Sequence, residues 1–117
     1  MNIYKNKKVV VTGGSGFIGT HFIQELLERG ANIRTSIHKT PLKIQDDRIE
    51  VLENIDLTKF DDVMKLVEGA DIVIHCAGKI AHPSKVPTDF QVAMNQIICA
   101  TNVLEASYKC GVKGFLD

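Results

Sequence analysis

Val9-Val10-Val11-Thr12-Gly13-Gly14-Ser15-Gly16-Phe17-Ile18-Gly19 is the stretch that decides the fold. A run of β-branched residues that ends in glycines reads as a short strand buried on both faces, the mark of a parallel sheet. Phe17, Ile18, Phe22, Ile23, Leu26 and Leu27 then recur at helical spacing as far as Gly30, which stands where a left-handed residue closes a helix. Glycines at 13, 16 and 19 between a strand and a helix permit a tight turn, close approach of the backbone to a pyrophosphate, and close packing of helix on strand. N–H groups at the helix start, at the positive end of its dipole, complete an anion site. The alternative is a Gly-rich turn that binds nothing. A P-loop is excluded, because no Gly-Lys-Ser/Thr follows.

The same rhythm continues outward. Residues 32–37 and 48–53 read as second and third strands, with Pro41 arguing against strand in the polar loop between them. Thr58 is a candidate N-cap for a helix carrying Phe60, Val63, Met64 and Val67, with Gly69 past its end. Residues 71–76 give a fourth strand. Thr88 and Gln91 form a capping-box pattern that opens a long helix through Phe90, Met94, Ile97, Ile98, Thr101, Leu104 and Tyr108 to Gly111. Residues 112–117 begin a fifth strand. Right-handed crossovers then predict a Rossmann-type three-layer α/β domain over residues 1–117, with a parallel sheet in the order 3-2-1-4. If the fifth strand is only a stub, the fourth is an unpaired edge that invites self-association, so a homo-oligomer is expected.

Composition narrows the classes further. The 117 residues are 44% hydrophobic and 24% charged, which suits one globular domain and excludes a disordered segment or a two-domain enzyme. Fourteen basic residues balance fourteen acidic ones, so no bulk field draws nucleic acid or anionic lipid and any anion is bound locally. The apolar run behind the basic start is too short for a signal sequence or a membrane span. Cys76, Cys99 and Cys110 lack paired or metal-ligand spacing and read as buried packing thiols of a reducing cytoplasm. His75 and Cys76 point to opposite faces of a strand and cannot share a metal, so His75 reads as core. His21 and His82 read as surface residues. Tyr108 reads as the last apolar contact of its helix. Tyr4 and Lys8 have Tyr-x-x-x-Lys spacing but precede the first strand, on the wrong edge of the sheet for catalysis.

A carboxylate at the end of the second strand would accept the ribose hydroxyls of NAD, whereas a basic residue would favour the 2′-phosphate of NADP. That region is Ser36-Ile37-His38-Lys39, so His38 and Lys39 favour NADP(H) over NAD(H) by charge complementarity. Asp56 and Leu57, after the third strand, either bound the adenine or support the start of the next helix. Ala77 and Gly78, after the fourth strand, are small enough for the nicotinamide-ribose half to approach.

Thr12 to Gly19, Ile55-Asp56-Leu57-Thr58, Val73-Ile74-His75-Cys76-Ala77-Gly78, and Asn95 followed by Thr101-Asn102-Val103-Leu104-Glu105-Ala106 together resemble the extended short-chain dehydrogenase/reductases, nearest the nucleotide-sugar epimerase/dehydratase/reductase group. The resemblance runs along essentially the whole chain. It implies that the backbone of Gly13, Ser15, Gly16, Phe17, Ile18 and Gly19 holds the pyrophosphate. It further implies that Asp56 and Leu57 bound the adenine, that Ala77 and Gly78 line the cofactor, and that Asn95 steadies the sheet and the active-site backbone. His38 stands where NADP-using relatives often carry Arg. The family's catalytic Ser/Thr and Tyr-x-x-x-Lys lie beyond residue 117, so no catalytic residue is expected here and the chain reads as the N-terminal cofactor-binding part of a cytoplasmic enzyme acting on a nucleotide sugar. The other reading is a non-catalytic NAD(P)-binding sensor or interaction module.

Overall fold

The computed structural model describes residues 3–37, 41–76 and 86–116, the side chains of 86–89 excepted. In chain order the described residues form β1 (Lys8–Thr12), α1 (Phe17–Glu28), β2 (Asn32–Ile37), β3 (Ile49–Glu53), α2 (Phe60–Val67), β4 (Ile72–His75), α3 (Val86–Lys109) and β5 (Gly114–Leu116). All strand pairings are parallel, and the sheet order is β3-β2-β1-β4-β5. The fifth strand is therefore more than a stub. It pairs Gly114, Phe115 and Leu116 with Ile72, Val73 and Ile74, so β4 is an interior strand and the edges are β3 and β5.

Alternation along β1 builds two cores, because successive side chains leave a strand on opposite faces. Val9 and Val11 pack with Ile23, Leu26 and Leu27 of α1 and with Ile33. Val10 packs on the other face with Val63, Leu66 and Val67 of α2, Val73 of β4, and Val103 and Ala106 of α3. Helices thus cover both faces of the sheet, the three-layer arrangement that strands of this composition require.

Helix ends account for most of the boundaries. Gly30 has φ +85°, and the N–H groups of Gly30 and Ala31 donate to Leu27 O and Leu26 O, closing α1 as its sequence position implies. Gly111 and Val112 close α3 in the same way on Tyr108 O and Ser107 O. Two arginines from the sheet side finish what the glycines leave. Arg48 Nη1 donates to Leu27 O at 2.8 Å, and Arg34 Nη1 donates to Leu66 O and Glu68 O at the end of α2.

The predicted starts of α2 and α3 need correction. Lys59, with extended backbone and no side-chain cap bond, is the N-cap of α2, while the Thr58 hydroxyl donates to Asp56 Oδ1 at 2.7 Å in the preceding turn. Helix α3 starts at Val86, two residues before Thr88, so Thr88 lies inside the helix and does not cap it. The Thr88 side chain is outside the described residues.

The apolar row of α3 faces outward, and for Tyr108 this departs from expectation. The residues whose spacing marked the helix are the exposed ones, with Phe90 at 69%, Ile97 at 58%, Leu104 at 56% and Tyr108 at 83% exposure. Tyr108 is therefore no apolar contact within the chain. Val103, Ala106 and Ser107 face α2 instead, and Ser107 stays satisfied by donating its hydroxyl to Val103 O at 2.7 Å. Short side chains let α3 approach its neighbour closely, which a row of large ones would prevent.

Candidate functional site

In a parallel sheet every loop after a strand leaves on the same edge, and ligands gather where the strand order reverses. Here the order reverses at β1, between β2 on one side and β4 on the other. The turn after β1, the end of β2, the Asp56-Leu57 turn after β3 and Cys76 at the end of β4 all lie on this edge. Tyr4 and Lys8 lie at the opposite edge, before and at the start of β1.

The turn itself is built from backbone. Gly13 has φ +70°, a conformation that disfavours side chains, and its carbonyl accepts the Gly16 N–H at 3.1 Å. Gly16 is the N-cap of α1 in extended backbone with no side-chain cap bond. Thr20 is the first residue whose N–H returns to the helix, donating to Gly16 O at 2.9 Å, so the N–H groups of Phe17, Ile18 and Gly19 form the unfilled first turn. No acidic residue stands in that turn to compete for it. A Cβ on Gly19 would overlap the Gly13 carbonyl oxygen, so this close approach is possible only for glycine. A Cβ on Gly16 would meet only Gly13 O at 3.4 Å and is otherwise open to solvent. Backbone donors, a helix N-terminus, no carboxylate and an open approach together fit a pyrophosphate group.

Two supports of this turn escaped the motif. Gly14 is buried, and a Cβ there would collide with Thr35 Oγ1 and approach Ile23 Cδ1 to 2.9 Å, so the turn is seated directly on β2 and α1. The Thr20 hydroxyl donates to Gly16 O at 2.6 Å and reaches Gly14 O at 3.2 Å. A small or hydroxyl residue just after a glycine motif is the only trace these leave in sequence. Phe17 and Ile18, counted among the apolar face of α1, are 74% and 61% exposed and flank the turn. Phe17 meets His21 edge-on at 4.6 Å between ring centres, and His21 is on the surface as expected.

At β3 the two readings of Asp56 are partly resolved. Its Oδ1 accepts both the N–H and the hydroxyl of Thr58, and Asp62 in the first turn of α2 accepts the Asp56 N–H, so Asp56 does organise the start of α2. Asn102 of α3 donates to Leu57 O at 2.9 Å and ties the long helix to this turn. Asn102 was legible only as part of the motif from Thr101 to Ala106. Cys99 lies one turn earlier, where burial and the Asp56 charge push its thiol up, and burial with Glu68 does the same for Cys110. Neither thiol is activated as a nucleophile. All three cysteines are half-buried rather than fully buried, with Cys76 and Cys110 at the margins of the two cores.

Asn95 is exposed on α3, where its Oδ1 accepts from Gln91 Nε2 at 3.5 Å. His75 is buried as expected and also shares a 2.7 Å hydrogen bond with Thr12. His38, Lys39, Ala77, Gly78 and His82 lie outside the described residues.

Fold and turn define a Rossmann-type α/β domain. Residues 9–117 match the NAD dependent epimerase/dehydratase family, and the chain belongs to that family. The mouse (Mus musculus) sterol-4-alpha-carboxylate 3-dehydrogenase, decarboxylating, is 30% identical over 113 residues, covering 96% of this chain and 29% of that protein. The structure of the Bordetella bronchiseptica enzyme WbmH in complex with NAD+ is similar with a TM-score of 0.76 and 26% identity, covering 93% of this chain and 37% of that one. UDP-N-acetylglucosamine 4-epimerase from Methanobrevibacter ruminantium, in complex with UDP-N-acetylmuramic acid, is similar with a TM-score of 0.79 and 25% identity, covering 95% of this chain and 37% of that one. The chain thus spans about three-tenths of the curated relative's length. No described helix is long and apolar enough to cross a membrane.

Proposed function

We propose that this chain is the dinucleotide-binding part of an epimerase, dehydratase or reductase that acts on a nucleotide-activated sugar. The observation that carries this reading is the glycine turn: the first-turn N–H groups of α1 open to solvent, over a Gly13–Gly19 contact that excludes any side chain. Gly13, Ser15, Gly16, Phe17, Ile18 and Gly19 would hold the pyrophosphate by backbone. Asp56 and Leu57 would bound the adenine, Ala77 and Gly78 the nicotinamide-ribose, and Asn95 would steady the nearby backbone. A bound nicotinamide supplies hydride transfer with a carbon of the substrate. The chain's own part is to bind and orient it, since it carries no Tyr-x-x-x-Lys on the catalytic side of the sheet. The sugar assignment is supported by the UDP-N-acetylmuramic acid complex of the archaeal relative. Turnover of a 3-hydroxysteroid, with none of UDP- or GDP-sugars, by the enzyme that carries this chain would overturn it.

His38 and Lys39 favour NADP(H) over NAD(H), because no carboxylate ends β2. Titration of the chain with NADPH and NADH, followed by nicotinamide fluorescence, is expected to saturate with both and more tightly with NADPH. Gly16→Val, whose side chain points into open space and not into the fold, is expected to abolish binding. Equal binding by that variant would refute the pyrophosphate site.

The exposed face of α3 supports a homo-oligomer. Phe90, Met94, Ile97, Leu104 and Tyr108 repeat at helical spacing and are all exposed, an apolar row of the kind that marks an interaction surface. Light scattering should give the mass of a dimer for the chain and of a monomer for Ile97→Glu with Leu104→Glu. A monomeric parent chain would contradict the proposal.

A further inference from the structure

Thr35 of β2 pairs in register with Val11 of β1 and lies on the face of the sheet that Ile33 presents to α1. It is fully buried, and its hydroxyl donates to Val11 O at 2.6 Å. A polar group among apolar neighbours needs such a partner, and a β-branched side chain has little other freedom at χ1, so Oγ1 is held in one place. Gly14 rests on that oxygen. Unlike Gly13, Gly14 does not have a left-handed φ, so its backbone alone does not demand glycine. The space beneath it does. A Cβ at Gly14 would collide with Thr35 Oγ1, lie 3.2 Å from Thr35 Cβ and come to 2.9 Å from Ile23 Cδ1. The Ile23 methyl is the end of a flexible side chain and can swing aside, whereas the Thr35 oxygen can move only by giving up Val11 O.

We propose that Thr35 is a positioning residue that sets how deeply the pyrophosphate turn sits on the sheet, through a size match with Gly14. The inference rests on the cofactor reading above and adds a residue of β2 that the glycine motif does not contain. Lifting Gly14 moves its neighbour Gly13, whose carbonyl accepts the Gly16 N–H and lies against Gly19. The displacement therefore reaches the first-turn N–H groups of Phe17, Ile18 and Gly19. These groups are backbone and cannot rotate to follow a ligand, and hydrogen bonds weaken steeply as their angle departs from linear. A turn seated at the wrong depth then binds pyrophosphate poorly in a chain that is still folded.

The test is a double-mutant cycle on the intact chain, with NADPH affinity read by calorimetry and stability by urea unfolding, for Gly14→Ala, Thr35→Ala and the two combined. Gly14→Ala is expected to weaken NADPH about tenfold or more, because its methyl lifts the turn off Thr35. Thr35→Ala removes the blocking oxygen. The combined variant should therefore bind NADPH within about threefold of Thr35→Ala alone, yet remain less stable than the parent for want of the Thr35 hydrogen bond. A residue that only held the fold would move affinity and stability together. Thr35→Ser keeps the oxygen, so combined with Gly14→Ala it should restore nothing. A doubly substituted alanine chain that binds no better than Gly14→Ala, or a Gly14→Ala chain that binds as the parent does, would overturn the positioning role. If Gly14→Ala does not fold, the combined alanine variant is still expected to fold and to bind NADPH, and its failure would equally overturn the role. Failure of the parent chain to bind NADPH would instead overturn the cofactor reading on which the role depends.

Discussion

Gly19→Ala is expected to abolish dinucleotide binding and to destabilise the chain by about 3 kcal/mol, because an added methyl must displace backbone. Its Cβ would sit on the Gly13 carbonyl oxygen and within 2.8 Å of the Gly13 carbon, so helix α1 and the turn cannot keep their contact. No side chain can rotate away to relieve this. The same carbonyl accepts the Gly16 N–H, so moving it unmakes the turn that aims the first-turn N–H groups. Gly16→Val separates the two effects. Gly16 has φ −79° in extended backbone, and a Cβ there meets only an ordinary contact. Valine lowers the entropy of the unfolded chain but is a poorer N-cap than glycine, and these opposing terms leave its stability within about 1 kcal/mol of the parent. Urea unfolding and cofactor titration of both variants check the pair. Normal stability in Gly19→Ala would contradict the packing argument.

Arg34→Ala is expected to cost about 2–4 kcal/mol, a large share of the roughly 5–15 kcal/mol that holds a domain of this kind. The Arg34 guanidinium is 16% exposed and serves three acceptors: Leu66 O at 3.1 Å, Glu68 O at 2.5 Å and Glu50 Oε1 at 2.9 Å. Its loss takes the donor from Leu66 O and Glu68 O at the end of α2 and breaks a side-chain link from β2 to β3. Arg34→Lys restores the charge without the planar fork, so it should recover only part of the loss. The pair also sets an acid limb. The Arg34 hydrogen bond holds the Glu50 carboxyl below the ordinary glutamate range, against a smaller opposing push from burial. A carboxyl lowered on folding stabilises the chain above its unfolded value, and that stability is lost as pH falls through the lowered folded value. Because Glu50 is about half exposed, solvent screening keeps this contribution small. Arg34→Ala should therefore show a flatter loss of stability in acid than the parent, and an unchanged acid limb would contradict the assignment.

Much of the architecture was legible because each signal was local. The Val9–Val11 run, the glycines after it and Gly30 act within a turn of themselves, and β1, α1 and β2 fall where those residues place them. Parallel order followed from the βαβ rhythm alone. What was not legible depended on partners distant in sequence. Periodicity found α3 but not which side of it faces the core, because the buried residues Val103, Ala106 and Ser107 are small and the larger apolar residues line the exposed side. Thr58 has the chemistry of a cap, yet Asp56 two residues before it takes both its donors. The pairing of β5 with β4 joins Gly114, Phe115 and Leu116 to Ile72, Val73 and Ile74, 42 residues earlier in the chain. The site divides in the same way. The glycines announce the turn, whereas Thr12, Thr20 and Asn102 matter only through the carbonyls and the ring nitrogen that folding brings to them.

The central claim is that backbone N–H groups at the start of α1 receive the cofactor's pyrophosphate. An amide-resolved NMR titration of the chain with NADPH tests it most directly. The account predicts saturable shifts that are largest at the N–H groups of Phe17, Ile18 and Gly19 and absent in Gly16→Val. Shifts confined to other segments, or none at saturating NADPH, would contradict it.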